Sequence, residues 1–183
     1  MGPRSARTLA RPWAVPGTPG LEHRIGGLEK DSLTGNVSYA PNNHEQMIRV
    51  RARKIAGIAR EIPPSECFGP ATGDLLVLGW GSTFGAIRES VRQLQAEGHA
   101  VAQLHLRHLN PFPSDLGAIL SRYERVLVPE INLGQLVRVI RGEFLVDAIG
   151  FNKIQGRPFK VSEIVHRCRA LLGGQDAQQE NVA

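Results

Sequence analysis

Cysteines, aromatic rings and long apolar runs are all scarce in this sequence, and each shortage closes off a class of function. Cys67 and Cys168 are the only cysteines. They stand far apart and form neither a CxxC pair nor an iron–sulfur spacing, so a reducing compartment is expected. Aromatic residues make up 5% of the chain, little material for the stacking platforms that single-stranded nucleic acids need. The excess of 22 Lys and Arg over 17 Asp and Glu, a formal charge of +5, is too modest for a nucleic-acid footprint and suits an anionic ligand or an acidic partner. No apolar run approaches the roughly 18 residues of a membrane span, and no charged-then-apolar signal opens the chain. A cytoplasmic protein without membrane contact is expected. The six histidines show neither HxxxH nor HExxH spacing, so no protein-bound metal is expected. Ser82 lacks the GxSxG elbow, and no catalytic residue is assigned.

With 183 residues, 42% of them apolar, the chain suits one compact domain with irregular ends. Residues 1–43 read as an irregular arm. Its opening, Met1 to Trp13, carries Arg4, Arg7 and Arg11 and no acid, a composition shared with transit peptides. Pro3 and Pro12 break any regular amphipathic helix there, so an unstructured lead-in is expected. Residues 44–62 read as a connecting helix. Asn43 followed by Gln46 predicts a capping box, and Ile48, Ala52, Ile55, Ala59 and Ile62 form an apolar stripe with Arg49, Arg53 and Arg60 on another face. Pro63 and Pro64 end it.

Residues 74–172 alternate short apolar runs with amphipathic segments, the pattern of strands joined by crossover helices. The runs are Leu75 to Leu78, Ala100 to Leu106, Val126 to Val128 and Phe144 to Ile149. A helix over about Phe84 to Glu97 faces inward with Phe84, Ile87, Val91 and Leu94 and stops at Gly98. Others are expected from Ser114, from Asn132 with Leu133, Leu136, Val137 and Ile140 inward, and from Ser162 with Ile164, Val165, Cys168 and Leu171 inward. The expected fold is α/β: a small doubly wound, mainly parallel sheet with helices on both faces. Residues 173–183 form a polar tail.

In a parallel sheet every strand-to-helix turn emerges at the carboxyl edge, where ligands and partners usually meet the domain. Gly79-Trp80-Gly81-Ser82-Thr83 follows the first strand. Two glycines and two hydroxyls at a helix start fit an oxyanion or phosphate, or equally a capped turn with Trp80 as an interface anchor. Arg107 and His108, in a turn that continues through Asn110 and is stiffened by Pro111 and Pro113, fit a carboxylate or phosphate, or an interchain salt bridge. Glu130 and Asn132 add an acid and a helix cap, and Lys153 extends the rim. In the arm, Glu22, His23 and Arg24 concentrate charge suited to an interface.

Leu9-Ala10-Arg11-Pro12-Trp13, Gly17-Thr18-Pro19-Gly20, Glu22-His23-Arg24-Ile25-Gly26-Gly27, Gly35-Asn36-Val37-Ser38, Gly79-Trp80-Gly81-Ser82-Thr83, His108-Leu109-Asn110-Pro111-Phe112-Pro113 and Val128-Pro129-Glu130-Ile131-Asn132-Leu133-Gly134-Gln135 form a collinear series. It resembles the carboxy-terminal region of the alpha subunit of 2-oxoacid:ferredoxin oxidoreductases of the 2-oxoglutarate type. The resemblance implies that residues 74–172 are the family's transketolase-like carboxy-terminal domain. It further implies oxidative decarboxylation of 2-oxoglutarate to succinyl-CoA and CO2, with electrons passed to ferredoxin. Thiamine diphosphate, Mg2+ and an iron–sulfur cluster are then expected in a full complex with a beta subunit and the missing amino-terminal alpha domains, and none in this chain alone. The rival expectation is a non-catalytic, stand-alone assembly module or one that binds coenzyme A or a nucleotide.

Overall fold

A computed structural model describes residues 5–173. Arg4 and the polar tail after Gly173 lie outside the described residues. The chain separates into two compact units. Residues up to Ile62 join Asn110–Phe112 in the first, and Pro63–Leu109 with the residues from Pro113 onward form the second.

The second unit is built on five strands: β1 (Cys67–Phe68), β2 (Gly73–Trp80), β3 (Val101–Leu106), β4 (Tyr123–Glu130) and β5 (Ile149–Asn152). They lie in the order β1-β3-β2-β4-β5. The four longer strands are parallel, and β1 adds an antiparallel edge on β3. A strand of two residues is too short to carry a periodic signal, which is why β1 is not visible in the sequence.

Four helices cover the sheet: α2 (Phe84–Ala96), α3 (Leu116–Leu120), α4 (Gln135–Phe144) and α5 (Val161–Leu172). Successive strand residues point to opposite faces. Leu75, Val77, Val101 and Leu127 meet Ile87, Val91 and Leu94 of α2 and Ile164, Val165, Cys168 and Leu171 of α5 in one buried cluster. Leu76, Leu78, Val126 and Val128 are equally buried on the reverse face, where α3 and α4 pack on β4. The expected α/β sheet with helices on both faces is therefore the observed one. A fully buried leucine contributes about 1.5–3 kcal/mol relative to exposure, so these two layers dominate the stability of this unit.

Several local expectations shift. The run Phe144 to Ile149 is not a strand. Phe144 closes α4, Leu145 turns the chain with φ of +54°, and β5 begins only at Ile149. A buried helix end followed by aliphatic turn residues reads in sequence like a short buried strand. Arg141 secures the turn through the Ala148 carbonyl (2.8 Å) and the Asp147 carboxylate (2.7 Å). The helix expected from Ser114 is only the five residues of α3. Phe84 and Leu133, expected inward, are 42% and 65% exposed, whereas Ile87, Leu136 and Ile140 are buried as expected.

In the first unit, α1 (Pro41–Gly57) begins with Pro41 at its first turn and passes into a 3-10 turn over Ile58–Glu61. Asn43 does not cap it. Its amide instead accepts from Ser32 N–H (3.0 Å) and donates to the Lys30 carbonyl (3.0 Å), clasping the arm. Met47 and Val50 are buried beside it, while Ile48 and Ile55 of the apolar stripe are 49% and 41% exposed. The arm is also more ordered than a free lead-in. Arg7 pairs with Glu61 (3.1 Å), Arg11 donates to the Asp31 carbonyl (2.6 Å), and Lys30 and Val37 form an antiparallel bridge. Glu29 holds Arg51 and His44 at 2.9 Å, and these partners, Arg51 foremost, lower its pKa to about 2.

Gly79 lies where β2 passes under α2. A Cβ there would fall 2.5 Å from Ile87 Cδ1 and 3.0 Å from Thr83 Oγ1. Gly79→Ala is therefore expected to cost about 1–3 kcal/mol through overpacking, read as a lower urea midpoint with unchanged m-value.

Candidate functional site: the carboxyl edge of the sheet

β2 and β4 are neighbours, yet the chain leaving β2 runs to α2 on one face and the chain leaving β4 runs to α4 on the other. This divergence is the topological switch point at which open α/β sheets commonly place a ligand. Trp80 and Glu130 are the last residues of the two strands, so the turns singled out in the sequence converge here.

Glu130 is completely buried. Its Oε1 accepts from Leu136 N–H (2.9 Å), Asn132 Nδ2 (3.2 Å) and Trp80 Nε1 (3.3 Å), and its Oε2 from Val137 N–H (3.0 Å). The carboxylate thus sits at the amino end of α4, where unpaired N–H groups and the helix dipole favour an anion. Asn132 completes the cap, its Oδ1 accepting from Gly134 N–H (2.8 Å) and Gln135 N–H (3.0 Å). Gly134 takes φ of +81°, and a Cβ there would lie 3.1 Å from the Asn152 amide and from Val137. The anion position at the switch point is filled by the protein's own side chain.

Thr83 is likewise turned inward, its hydroxyl donating to the Trp80 carbonyl (2.8 Å) and accepting from Trp80 N–H (3.2 Å). Gly79 serves helix-sheet packing. Gly81, with φ of +57°, has open space where its Cβ would be, and Ser82 beside it is exposed. Of this turn, Gly81 and Ser82 are the residues left exposed before α2.

Arg107 and His108 follow β3 at the same carboxyl edge and are exposed. Asn110 groups with the first unit, and its peptide bond to Pro111 is cis. Lys153 follows β5 but is engaged internally. Its ammonium donates to both Glu163 oxygens (2.8 Å) and to the Pro158 carbonyl (3.1 Å), leaving the side chain 10% exposed. The Lys153 ammonium, and after it the Lys160 N–H, hold the Glu163 carboxyl below its ordinary range. In the arm, Glu22 accepts from Gly20 N–H (3.1 Å), His23 Nδ1 donates to the Leu21 carbonyl (2.8 Å), and the Arg24 carbonyl accepts from Lys30 Nζ. These three belong to the first unit.

Two residues that the sequence did not single out stand beside the rim. His105, on β3, packs edge-on against Phe84 with centroids 5.0 Å apart, and its Nδ1 is buried without a partner. Arg88, on α2, lies 3.9 Å above the Phe68 ring. Burial, then the charges of Arg107 and Arg88, push the His105 pKa below its ordinary value. The alternation Val101, Gln103, His105 on a strand face covered by a helix was the available signal.

Among the described residues no three His, Cys, Asp or Glu side chains gather as a metal site. Cys67 lies on β1 and Cys168 on α5. Burial pushes both thiols up, that of Cys168 to about 12. Among the described residues, no helix is long and apolar enough to cross a membrane.

Glu130→Gln should lower stability by about 1–3 kcal/mol, because one carboxylate oxygen becomes an NH2 facing N–H donors. Trp80→Phe, which removes one donor, should cost about 0.5–1.5 kcal/mol in the same denaturation measurement. His105 makes a separate pH prediction. A lowered folded pKa means that the unfolded chain takes up the proton first, so the folded state loses stability as pH falls through the unfolded value of about 6.5. Wild type should lose more stability than His105→Gln below that pH. An NMR titration placing the folded His105 pKa above the unfolded value would contradict this.

The sequence model of the pyruvate:ferredoxin oxidoreductase core domain II matches residues 73–181. The chain is 50% identical to the 2-oxoglutarate oxidoreductase subunit KorA of Mycobacterium tuberculosis, over 97% of this chain and 27% of that protein. It is 31% identical to the 2-oxoglutarate synthase subunit KorA of Methanocaldococcus jannaschii, over 84% of this chain and 41% of that protein. A solved 2-oxoglutarate:ferredoxin oxidoreductase from Magnetococcus marinus, with 2-oxoglutarate, coenzyme A and succinyl-CoA bound, superposes with a TM-score of 0.83. It is 34% identical, over 92% of this chain and 30% of that one. The chain thus spans well under half the length of these relatives. It belongs to the pyruvate:ferredoxin oxidoreductase core domain II family.

Proposed function

We propose that this chain is the carboxy-terminal part of the alpha subunit of a cytoplasmic 2-oxoglutarate:ferredoxin oxidoreductase. It contributes there to oxidative decarboxylation of 2-oxoglutarate to succinyl-CoA and CO2, with electrons passed to ferredoxin. The observation that carries this reading is the superposition of nearly the whole chain on a solved enzyme of that activity. The partners are the remaining alpha domains and a beta subunit, with ferredoxin and coenzyme A met through the complex.

The thiamine diphosphate of such an enzyme supplies carbanion stabilisation. The described residues here do not fit it or its companions. Glu130, the buried acid at the switch point, is engaged by four N–H donors, and the two cysteines lie on separate elements. The chain's own contribution is positional. Its sheet holds Gly81, Ser82, Arg107 and His108 on a rigid carboxyl edge, where each is open to the rest of the assembly.

Co-expression with the missing alpha domains and the beta subunit is expected to yield a complex that reduces ferredoxin in the presence of 2-oxoglutarate and coenzyme A. A correctly assembled complex that turns over no 2-oxoacid would overturn the reading.

A further inference from the structure

The helix α1 carries two apolar stripes. Asn43, Met47 and Val50 are buried, and Asn43 is bonded to the arm. Ile48, Ala52 and Ile55 recur at spacings of four and three on nearly the opposite side, since each residue advances the helix by about 100°. All three are exposed, the two isoleucines at 49% and 41%. Scattered apolar residues on a surface need no explanation. A β-branched residue has a slightly lower helix propensity than alanine or lysine, so two of them in register, with alanine between, mark a face made to be covered.

One flank of that stripe is cationic. Arg49 and Arg53 stand one turn apart on it, and Arg60 follows in the 3-10 turn. Arg49 is paired with Glu45 at 2.6 Å. Arg53 and Arg60 are exposed and form no ion pair among the described residues. The same unit exposes Trp13 at 92% and Tyr39 at 84%, large rings that gain most by burial in an interface.

We infer that the exposed face of α1 is a docking surface for a part of the alpha subunit outside this chain, one that presents aliphatic side chains bordered by Asp or Glu. A small anion would use the arginines and leave the isoleucines in water. A second copy packed antiparallel would set the same cationic row against itself, and like charges across an interface are costly. The solved relative carries its matching segment within a chain of which that segment is only 30%. A partner on the same polypeptide benefits from a high effective concentration, and an apolar seam with an acidic border matches both features of this face. The inference rests on the chain's place in the oxidoreductase.

The test uses the full chain, the rest of the alpha polypeptide produced separately, and the beta subunit. Binding is measured by calorimetry for wild type, Ile48→Ser/Ile55→Ser and Arg53→Glu/Arg60→Glu. Because these side chains are exposed, circular dichroism and Tm should be unchanged. Each double variant is expected to bind at least about tenfold more weakly, and the deficit of the arginine variant should shrink in high salt. Should the isoleucine pair disturb folding, the arginine pair reads the same face alone. If wild type assembles into an active complex and both folded variants bind within about twofold of it, the docking surface lies elsewhere and the proposed function stands. If wild type itself does not bind those polypeptides, both the surface and the proposed function fall.

Discussion

A single buried carboxylate ties the second unit together where its topology would otherwise leave it open. Glu130 ends β4, accepts the otherwise unpaired N–H groups of Leu136 and Val137 at the start of α4, and receives the indole N–H of Trp80 from the end of β2. An anion placed there by the chain itself satisfies the helix dipole as a bound phosphate would. A buried charge is tolerable only when hydrogen-bonded, and four donors meet that condition. The crevice that many related architectures use for a ligand is consequently part of this protein's own framework.

With the switch point closed, openness moves to its margins and to the first unit. Gly81, Ser82, Arg107 and His108 remain exposed on the carboxyl edge. The arm and α1 keep large apolar groups at the surface, and Arg53 of α1 is exposed with no ion pair among the described residues. The second unit has two well-covered sheet faces, whereas the first is ordered chiefly by hydrogen bonds and ion pairs around Asn43, Asp31 and Glu29.

The sheet was legible because its driving force is periodic. Leu75 to Leu78 is apolar on both faces, as a sheet sandwiched between helices requires, and Ile87, Val91 and Leu94 repeat at the helical period. The same reasoning failed at Phe144 to Ile149, where helix end and strand start share one apolar composition. At α1 it found the stripe of Ile48 and Ile55, which the structure leaves exposed. Periodicity identifies a face that seeks burial, and it does not say which neighbour buries it.

By itself the sequence determined the α/β class, the main strands and helices of the second unit and the set of polar turns after β2, β3 and β4, because these depend on local spacing and on the geometry of parallel strands. Only the tertiary structure decided what those turns do. It assigned Glu130 to the cap of α4, Thr83 to its own turn and Lys153 to Glu163, and it left Arg107 and His108 exposed. The reason is physical. A side chain's type limits the bonds it can make, but whether those bonds are made internally depends on strand order and helix placement, which bring together residues some fifty positions apart, as with Trp80 and Glu130.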